Sequence, residues 1–195
     1  MGIIDILVQQ CRKPNGILGA IMMKSFDIIN EGFFDWALNL VDIQDGNILD
    51  IGCGSGKTVY KLAKKYNNIL VHGMDYSNDA VKSSIKRNKK FIEKEKVKIF
   101  CGSVEKIPFA DNYFDYIFAI RTHYFWVDLQ LACMEIFKKL KHGGKFIVIS
   151  ETYKIQYHMS YYNTEDSFKK LLLDVGFSKV ELINKEKSIC MIAQK

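Results

Sequence analysis

Proline is nearly absent: Pro14 and Pro108 are the only two in 195 residues, so any motif that needs adjacent prolines is excluded. Cysteine is sparse and dispersed, at Cys11, Cys53, Cys101, Cys133 and Cys190, with no Cys-x-x-Cys pair. An odd, scattered set argues against a disulfide framework or a zinc finger and predicts reduced, mostly buried thiols. No apolar run reaches the length of a membrane span, and the N-terminus lacks a basic-then-apolar signal pattern. The expected compartment is therefore the cytoplasm. Repeats, low-complexity tracts and linkers are missing as well. Acids are the scarcer charge, leaving a net charge of +6, with much of the excess between Lys82 and Lys98. Lys82, Lys86, Arg87, Lys89, Lys90 and Lys94 fall on nearly all faces of one expected helix with no aromatic platform interleaving them. That pattern fits a solvated outer helix better than a nucleic-acid surface.

What is present is enough apolar sequence, 48% of residues, to bury a sizeable core in a chain of one-domain length. Strand and helix patterns alternate, which predicts a parallel sheet covered by helices on both faces. Apolar periodicity predicts helices at 17–30 and 33–41, and these form an N-terminal cap (residues 1–45) on a core of residues 46–195. The core pattern runs strand 47–51, helix 57–66, strand 69–74, a helix capped by Ser77, and strands 97–101 and 116–120. A helix capped by Asp128 runs to Leu140 and stops at His142-Gly143-Gly144. A strand at 145–150, a helix from Thr164 to Gly176 and two final strands at 178–184 and 187–193 complete the chain.

The most informative stretch is Ile48-Leu49-Asp50-Ile51-Gly52-Cys53-Gly54-Ser55-Gly56. A buried strand ends on an acid and enters a turn with glycine at every second position, just before a helix. Glycine permits backbone angles that Cβ forbids, so a ligand can lie against bare main chain at a helix N-terminus. A phosphate-binding P-loop is excluded because its first glycine would fall on Ile51. The dinucleotide fingerprint fits poorly, since its third glycine would fall on Lys57.

The remaining Asp50-x-Gly52-x-Gly54-x-Gly56 pattern resembles the first motif of class I S-adenosylmethionine-dependent methyltransferases. Four downstream segments share the resemblance. Asp75 stands at the end of the second strand. Gly102-Ser103-Val104-Glu105-Lys106-Ile107-Pro108-Phe109, with Asp111, Phe114 and Asp115 after it, matches a family segment that opens the fourth strand. Leu140-Lys141-His142-Gly143-Gly144 matches the signature before the fifth strand, with His142 in place of the usual proline. Gly176-Phe177 precedes a last hairpin. The likeness runs from about residue 17 to the end and is closest to small methyltransferases related to the quinone-biosynthesis C-methyltransferases.

The resemblance implies a Rossmann-like, seven-stranded, mostly parallel sheet of order 3-2-1-4-5-7-6 with strand 7 antiparallel. It implies S-adenosylmethionine as cofactor, S-adenosylhomocysteine as product and a small-molecule acceptor, with neither metal nor nucleic acid expected. The implied cofactor residues are Asp50, Gly52, Cys53, Gly54 and Gly56 at the turn and Asp75 on the ribose diol. Tyr76 and Val104 lie along the adenine, where Ser103 replaces the family's acid. Ala119, Ile120 and Arg121 lie at the methionine end. His123 and Tyr124 are the candidate catalytic residues, His123 because an unperturbed imidazole takes up a proton near neutrality. Tyr153, Tyr157 and Tyr161, at i, i+4, i+8 spacing, with Phe26, Phe33, Phe34 and Trp36, are candidate walls of an acceptor pocket. Three other functions are weighed. A nicotinamide-dependent oxidoreductase lacks its sixth-position glycine, and a nucleic-acid methyltransferase lacks its Pro-Pro motif. A non-catalytic S-adenosylmethionine-binding protein stays open.

Overall fold

The computed structural model describes residues 16–159 and 161–195. Its seven strands form one sheet in the order β3-β2-β1-β4-β5-β7-β6. In sequence they are β1 (Gly46–Ile51), β2 (Ile69–Asp75), β3 (Val97–Cys101), β4 (Phe114–Ile120), β5 (Leu140–Glu151), β6 (Lys179–Lys185) and β7 (Ser188–Gln194). β2 pairs with β3, β1 with β4 and β4 with β5 in parallel, while β7 is antiparallel to both β5 and β6. This is the expected Rossmann-like order, with the last hairpin supplying the reversed strand.

Two compact units are distinguished by their internal contacts. The described residues of the first are 16–45 and Gly52–Gly102. It holds α1 (Gly16–Leu40), α2 (Lys57–Lys65), α3 (Asn78–Ile92), β2 and β3. α2 buries Val59, Leu62 and Ala63, one stripe at helical spacing, and ends on Lys64 and Lys65, which complement its negative C-terminal end. α3 starts where the Ser77 side chain accepts from the Ala80 N–H at 3.3 Å. The two helices expected at 17–30 and 33–41 are one continuous α1. Gly32 lies within it, exposed, and a single glycine in a helix interior lowers stability by only ~1 kcal/mol rather than ending the helix.

The second unit comprises Gly46–Ile51 and Ser103–Lys195. It holds β1, β4 to β7, α4 (Leu129–Lys139), α5 (Thr152–His158), α6 (Glu165–Val175) and a 3-10 turn at His123–Phe125. Strands β1, β4 and β5 are apolar on both faces, as a central parallel strand requires. Phe114, Phe118, Phe146, Ile48, Leu49, Ile117 and Ile147 are fully buried. Asp128 caps α4 by accepting from the Leu131 N–H at 2.9 Å, and Thr164 with Ser167 forms a reciprocal cap on α6.

One boundary differs from the sequence expectation. α4 ends at Lys139, and β5 already starts at Leu140, so Gly143-Gly144 lies inside a strand instead of stopping a helix. The register between β4 and β5 shifts there between Phe114 and Tyr116, and Gly143 takes φ 78°. A Cβ on Gly144 would lie 2.9 Å from the Lys141 carbonyl oxygen and 3.2 Å from that of Asp115. The glycines thus serve a β-bulge.

Of the four described cysteines, all reduced, Cys53, Cys133 and Cys190 are buried and Cys101 is exposed; Cys11 lies outside the described residues. Among the described residues, no helix is long and apolar enough to cross a membrane, and no His/Cys/Asp/Glu cluster could hold a metal.

Candidate functional site

In the first unit the glycine turn is fastened to the end of β2. The N–H groups of Gly52 and Cys53 both donate to the Met74 carbonyl, at 2.8 and 3.0 Å. The next N–H, of Gly54, donates to Asp75 Oδ2 at 2.9 Å, while Asp75 Oδ1 accepts from the Ser77 N–H at 2.9 Å. Burial raises the Asp75 carboxyl above its ordinary value, opposed by backbone hydrogen bonds from Ser77, Gly54 and Tyr76. Sequence reasoning placed Asp75 and the turn together, and the structure joins them by a direct bond.

The glycines are not equivalent. Gly56, at φ 76°, is backed by α3: a Cβ there would sit 2.2 Å from Ser84 Oγ and 2.6 Å from Asn88 Nδ2. Gly54, at φ 53°, has nothing among the described residues within 4 Å of a Cβ position, so its main chain borders open space there. Cys53 is 7% exposed, with its Sγ 3.9 Å from Ser84 Oγ, inside the packing rather than at the open side. The Tyr76 ring is exposed beside Asp75. Ser55 donates its hydroxyl to Asp27 of α1, a partner that sequence reasoning missed.

In the second unit Asp50 is buried in β1, opposite Phe118 in β4. The β1–β4 register ends at that pair, so Ala119 and Ile120 run past it while still pairing with Val148 and Ile149 of β5. Ser103 is exposed and donates to the Glu105 carboxylate, and Val104 between them is buried.

Arg121 ends β4 in the left-handed region, at φ 59°, with a nearly buried side chain. Its guanidinium grips Glu151 at the end of β5 with two bonds, Nε to Oε2 at 2.9 Å and Nη2 to Oε1 at 2.8 Å. Lys154 Nζ stands 3.2 Å from the same Oε1. Burial alone would raise the Glu151 carboxyl; the bonds and charge of Arg121, with Lys154, bring it below its ordinary value. Glu151 and Lys154 were not singled out from the sequence. The available signal was a strand-end arginine next to buried strands, which requires a carboxylate partner.

His123 departs from what the base expectation assumed. It is 1% exposed and lies flat on Phe168, with ring centroids 5.2 Å apart and an interplanar angle of 2°. Neither ring nitrogen has a hydrogen-bond partner among the described residues. Burial lowers its pKa to about 3. Tyr124 is buried too, stacked at 5.3 Å on His158, whose pKa burial and then the charge of Lys154 lower.

The tyrosine stripe is interrupted, since α5 carries Tyr153 and Tyr157 but ends before Tyr161, and all three are exposed. In α1, Phe34 is buried and Phe33 and Trp36 are half-buried; the Phe26 side chain lies outside the described residues.

The pattern of the methyltransferase domain family matches residues 49–148. An uncharacterized methyltransferase of Bacillus subtilis, YdaC, is 25% identical over 92% of this chain and 98% of its own length. The ubiquinone/menaquinone biosynthesis C-methyltransferase UbiE of Rickettsia prowazekii is 33% identical over 54% of this chain, and the match spans 44% of that protein. Among solved structures, one from Methanococcus maripaludis, described as a proposed S-adenosyl-L-methionine-dependent methyltransferase, superposes with a TM-score of 0.71 at 25% identity. That likeness covers 89% of this chain and 91% of the other.

Proposed function

Because the chain belongs to the methyltransferase domain family and is a class I, S-adenosylmethionine-dependent methyltransferase, we propose that it methylates a small-molecule acceptor by in-line displacement. The observation that carries this reading is the Gly54–Asp75 unit: open space beside a bare glycine whose N–H already holds the carboxylate. S-adenosylmethionine supplies a methyl carbon activated by its sulfonium charge. The protein's part is to bind, orient and keep the reacting end dry.

Asp75 accepts backbone hydrogen bonds from Gly54, Ser77 and Tyr76, and an ionised carboxylate has about four acceptor positions, so capacity remains for a bond from a ribose hydroxyl. Main chain at Gly54, beside open space, borders the nucleoside, with Gly52 two residues before it in the turn. The exposed Tyr76 ring lies against adenine. Ser103, whose hydroxyl donates to Glu105, stands where the family's acid meets the adenine amino group and keeps lone pairs to accept from it. The carbonyls of Ala119 and Ile120, beyond the β1–β4 register, accept from the ammonium group. Cys53 packs within the turn, and Asp50 is buried in β1. Arg121 shapes the exit of β4 through Glu151 rather than serving as a direct carboxylate partner.

No base is assigned to His123, since an imidazole with a pKa of about 3 does not take up a proton near neutrality. Tyr124 contributes an aromatic wall with His158. Rate then comes chiefly from alignment of acceptor, methyl carbon and sulfur, which supplies roughly 7–11 kcal/mol. A small-molecule acceptor is supported by the UbiE relatives, named for ubiquinone/menaquinone biosynthesis, although the match spans under half their length. It is also supported by the basic helix α3, where Lys82, Arg87 and Lys89 are already engaged with Asp79, Asp27 and Glu93.

Titration calorimetry with S-adenosylhomocysteine, S-adenosylmethionine and NAD tests the reading. The first two should bind and NAD should not. Asp75→Ala should weaken S-adenosylhomocysteine binding by roughly 1.5–3 kcal/mol, the range for a hydrogen bond to a charged group. A folded variant with undiminished affinity would remove the ribose role.

A further inference from the structure

Asp27, near the middle of α1, is engaged through all three of its oxygens. Oδ1 accepts from Ser55 Oγ, Oδ2 accepts from Arg87 Nη2 at 2.5 Å, and the main-chain oxygen accepts from Lys57 Nζ at 2.9 Å. Ser55 sits between Gly54 and Gly56 in the turn, Lys57 opens α2, and Arg87 lies in α3. The carboxylate is largely shielded, with side-chain exposure of 16%, and Ser55 is buried at 6%. Charge-assisted bonds so shielded from water are the strong ones.

Toward the C-terminus of α1 Phe34, Ala37 and Leu38 are buried, so apolar packing anchors that end. Among the described side chains toward its N-terminus Met23 is buried, Leu18 and Ile21 are exposed, and polar bonds recur. Besides the Asp27 cluster, the Gly16 N–H donates to Asp79 Oδ2 at 3.2 Å. Polar bonds thus fasten this stretch of α1 to the turn and to α3, as a latch would. Its catch, Ser55, is the immediate neighbour of the open Gly54.

We propose that Asp27 is a positioning residue that latches the N-terminal half of α1 to the glycine turn and slows release of the adenosyl ligand. The proposal rests on the cofactor reading given above. Any ligand that steadies the turn must favour the latched helix, and the latched helix must by the same factor favour the ligand. No contact between Asp27 and the ligand is required.

The test uses the full chain with S-adenosylhomocysteine as probe. Dissociation of the labelled probe is followed after a chase with unlabelled excess, alongside amide hydrogen exchange over residues 16–40. In wild type the probe should slow exchange in α1. Asp27→Asn should release the probe roughly tenfold faster or more, as expected for losing a charge-assisted bond that only the latched state makes, and should abolish the ligand-dependent protection. Ser55→Ala, which leaves the Arg87 bond in place, should act in the same direction, and Asp27→Glu should restore much of the slow release. Added salt should speed release from wild type more than from Asp27→Asn, because screening weakens the latch itself. The proposal is overturned if folded Asp27→Asn or Ser55→Ala shows wild-type release and wild-type exchange in α1. Should wild type fail to bind the probe at all, the cofactor reading falls instead. Exchange in α1 of the unliganded variants then decides the latch separately.

Discussion

Acidification from pH 7 to pH 5 should remove stability through His123, and the amount follows from its burial. The imidazole has a pKa of about 3 in the folded chain against an ordinary value of 6.5. A depressed folded value means that the unfolded chain binds the proton more readily. The contribution is therefore fully present above pH 6.5 and is lost as pH falls toward 3. At pH 5 the unfolded chain gains about 1.5 pH units of protonation free energy from this ring, and at about 1.36 kcal/mol per unit that is roughly 2 kcal/mol. The figure depends little on the folded value, because pH 5 lies well above it.

His123→Phe isolates the effect. The replacement ring can keep the parallel stack on Phe168 and cannot titrate. Urea unfolding of both proteins at pH 7, 6 and 5 is the assay. With a urea slope of about 2 kcal/mol/M, the wild-type midpoint should drop by about 1 M more than the variant's between pH 7 and pH 5. His72, buried in β2 with a pKa of about 4, is common to both and should give the variant a residual acid loss of similar size. Equal losses for wild type and variant would refute the argument and show that the His123 ring reaches water or a partner in solution.

Three other outcomes follow from the site. Gly54→Ala should retain the fold, at about 1–2 kcal/mol for the left-handed backbone, yet lose S-adenosylhomocysteine affinity, whereas Gly56→Ala should mainly lower the melting temperature because its methyl meets Ser84 and Asn88. Paired melting curves and binding isotherms separate the two. Arg121→Ala should destabilise by about 3 kcal/mol, the low end for breaking a buried pair because Lys154 still neighbours the Glu151 charge, and Arg121→Gly should be more stable than the alanine variant by about 1 kcal/mol because φ 59° suits glycine. Since burial raises the Asp75 carboxyl, S-adenosylhomocysteine affinity should begin to fall on acidification at a higher pH than a solvent-exposed aspartate would give, as read by calorimetry from pH 7 downward.

Much of this architecture is legible in the chain because local pattern and global burial agree. Strands β1, β4 and β5 carry apolar runs at Ile48-Leu49, 116–120 and 146–149, and Ser77, Asp128 and Thr164 announce helix starts that the structure makes with those very side chains. The strand order came from family resemblance, since parallel pairing is not written in any short segment. Misreadings fell on glycine. Gly143-Gly144 has the look of a helix stop, but only the Asp115 and Lys141 backbones packed against it reveal a bulge. His123 was read from its intrinsic acidity, and only tertiary packing on Phe168 removes that property. Asp27 and Glu151 escaped notice because Ser55, Arg87 and Arg121, which bind them, lie 28 to 60 residues away and carry no local signature.

The bond between Gly54 and Asp75 is made entirely within the protein, so the turn holds its shape without waiting for a guest. An incoming nucleoside need not recruit disordered backbone, and little entropy is forfeited on capture. Position 75 is accordingly under double constraint: a substitution there loosens the mould and removes a handhold at once, which ties the upkeep of the scaffold to the choice of ligand.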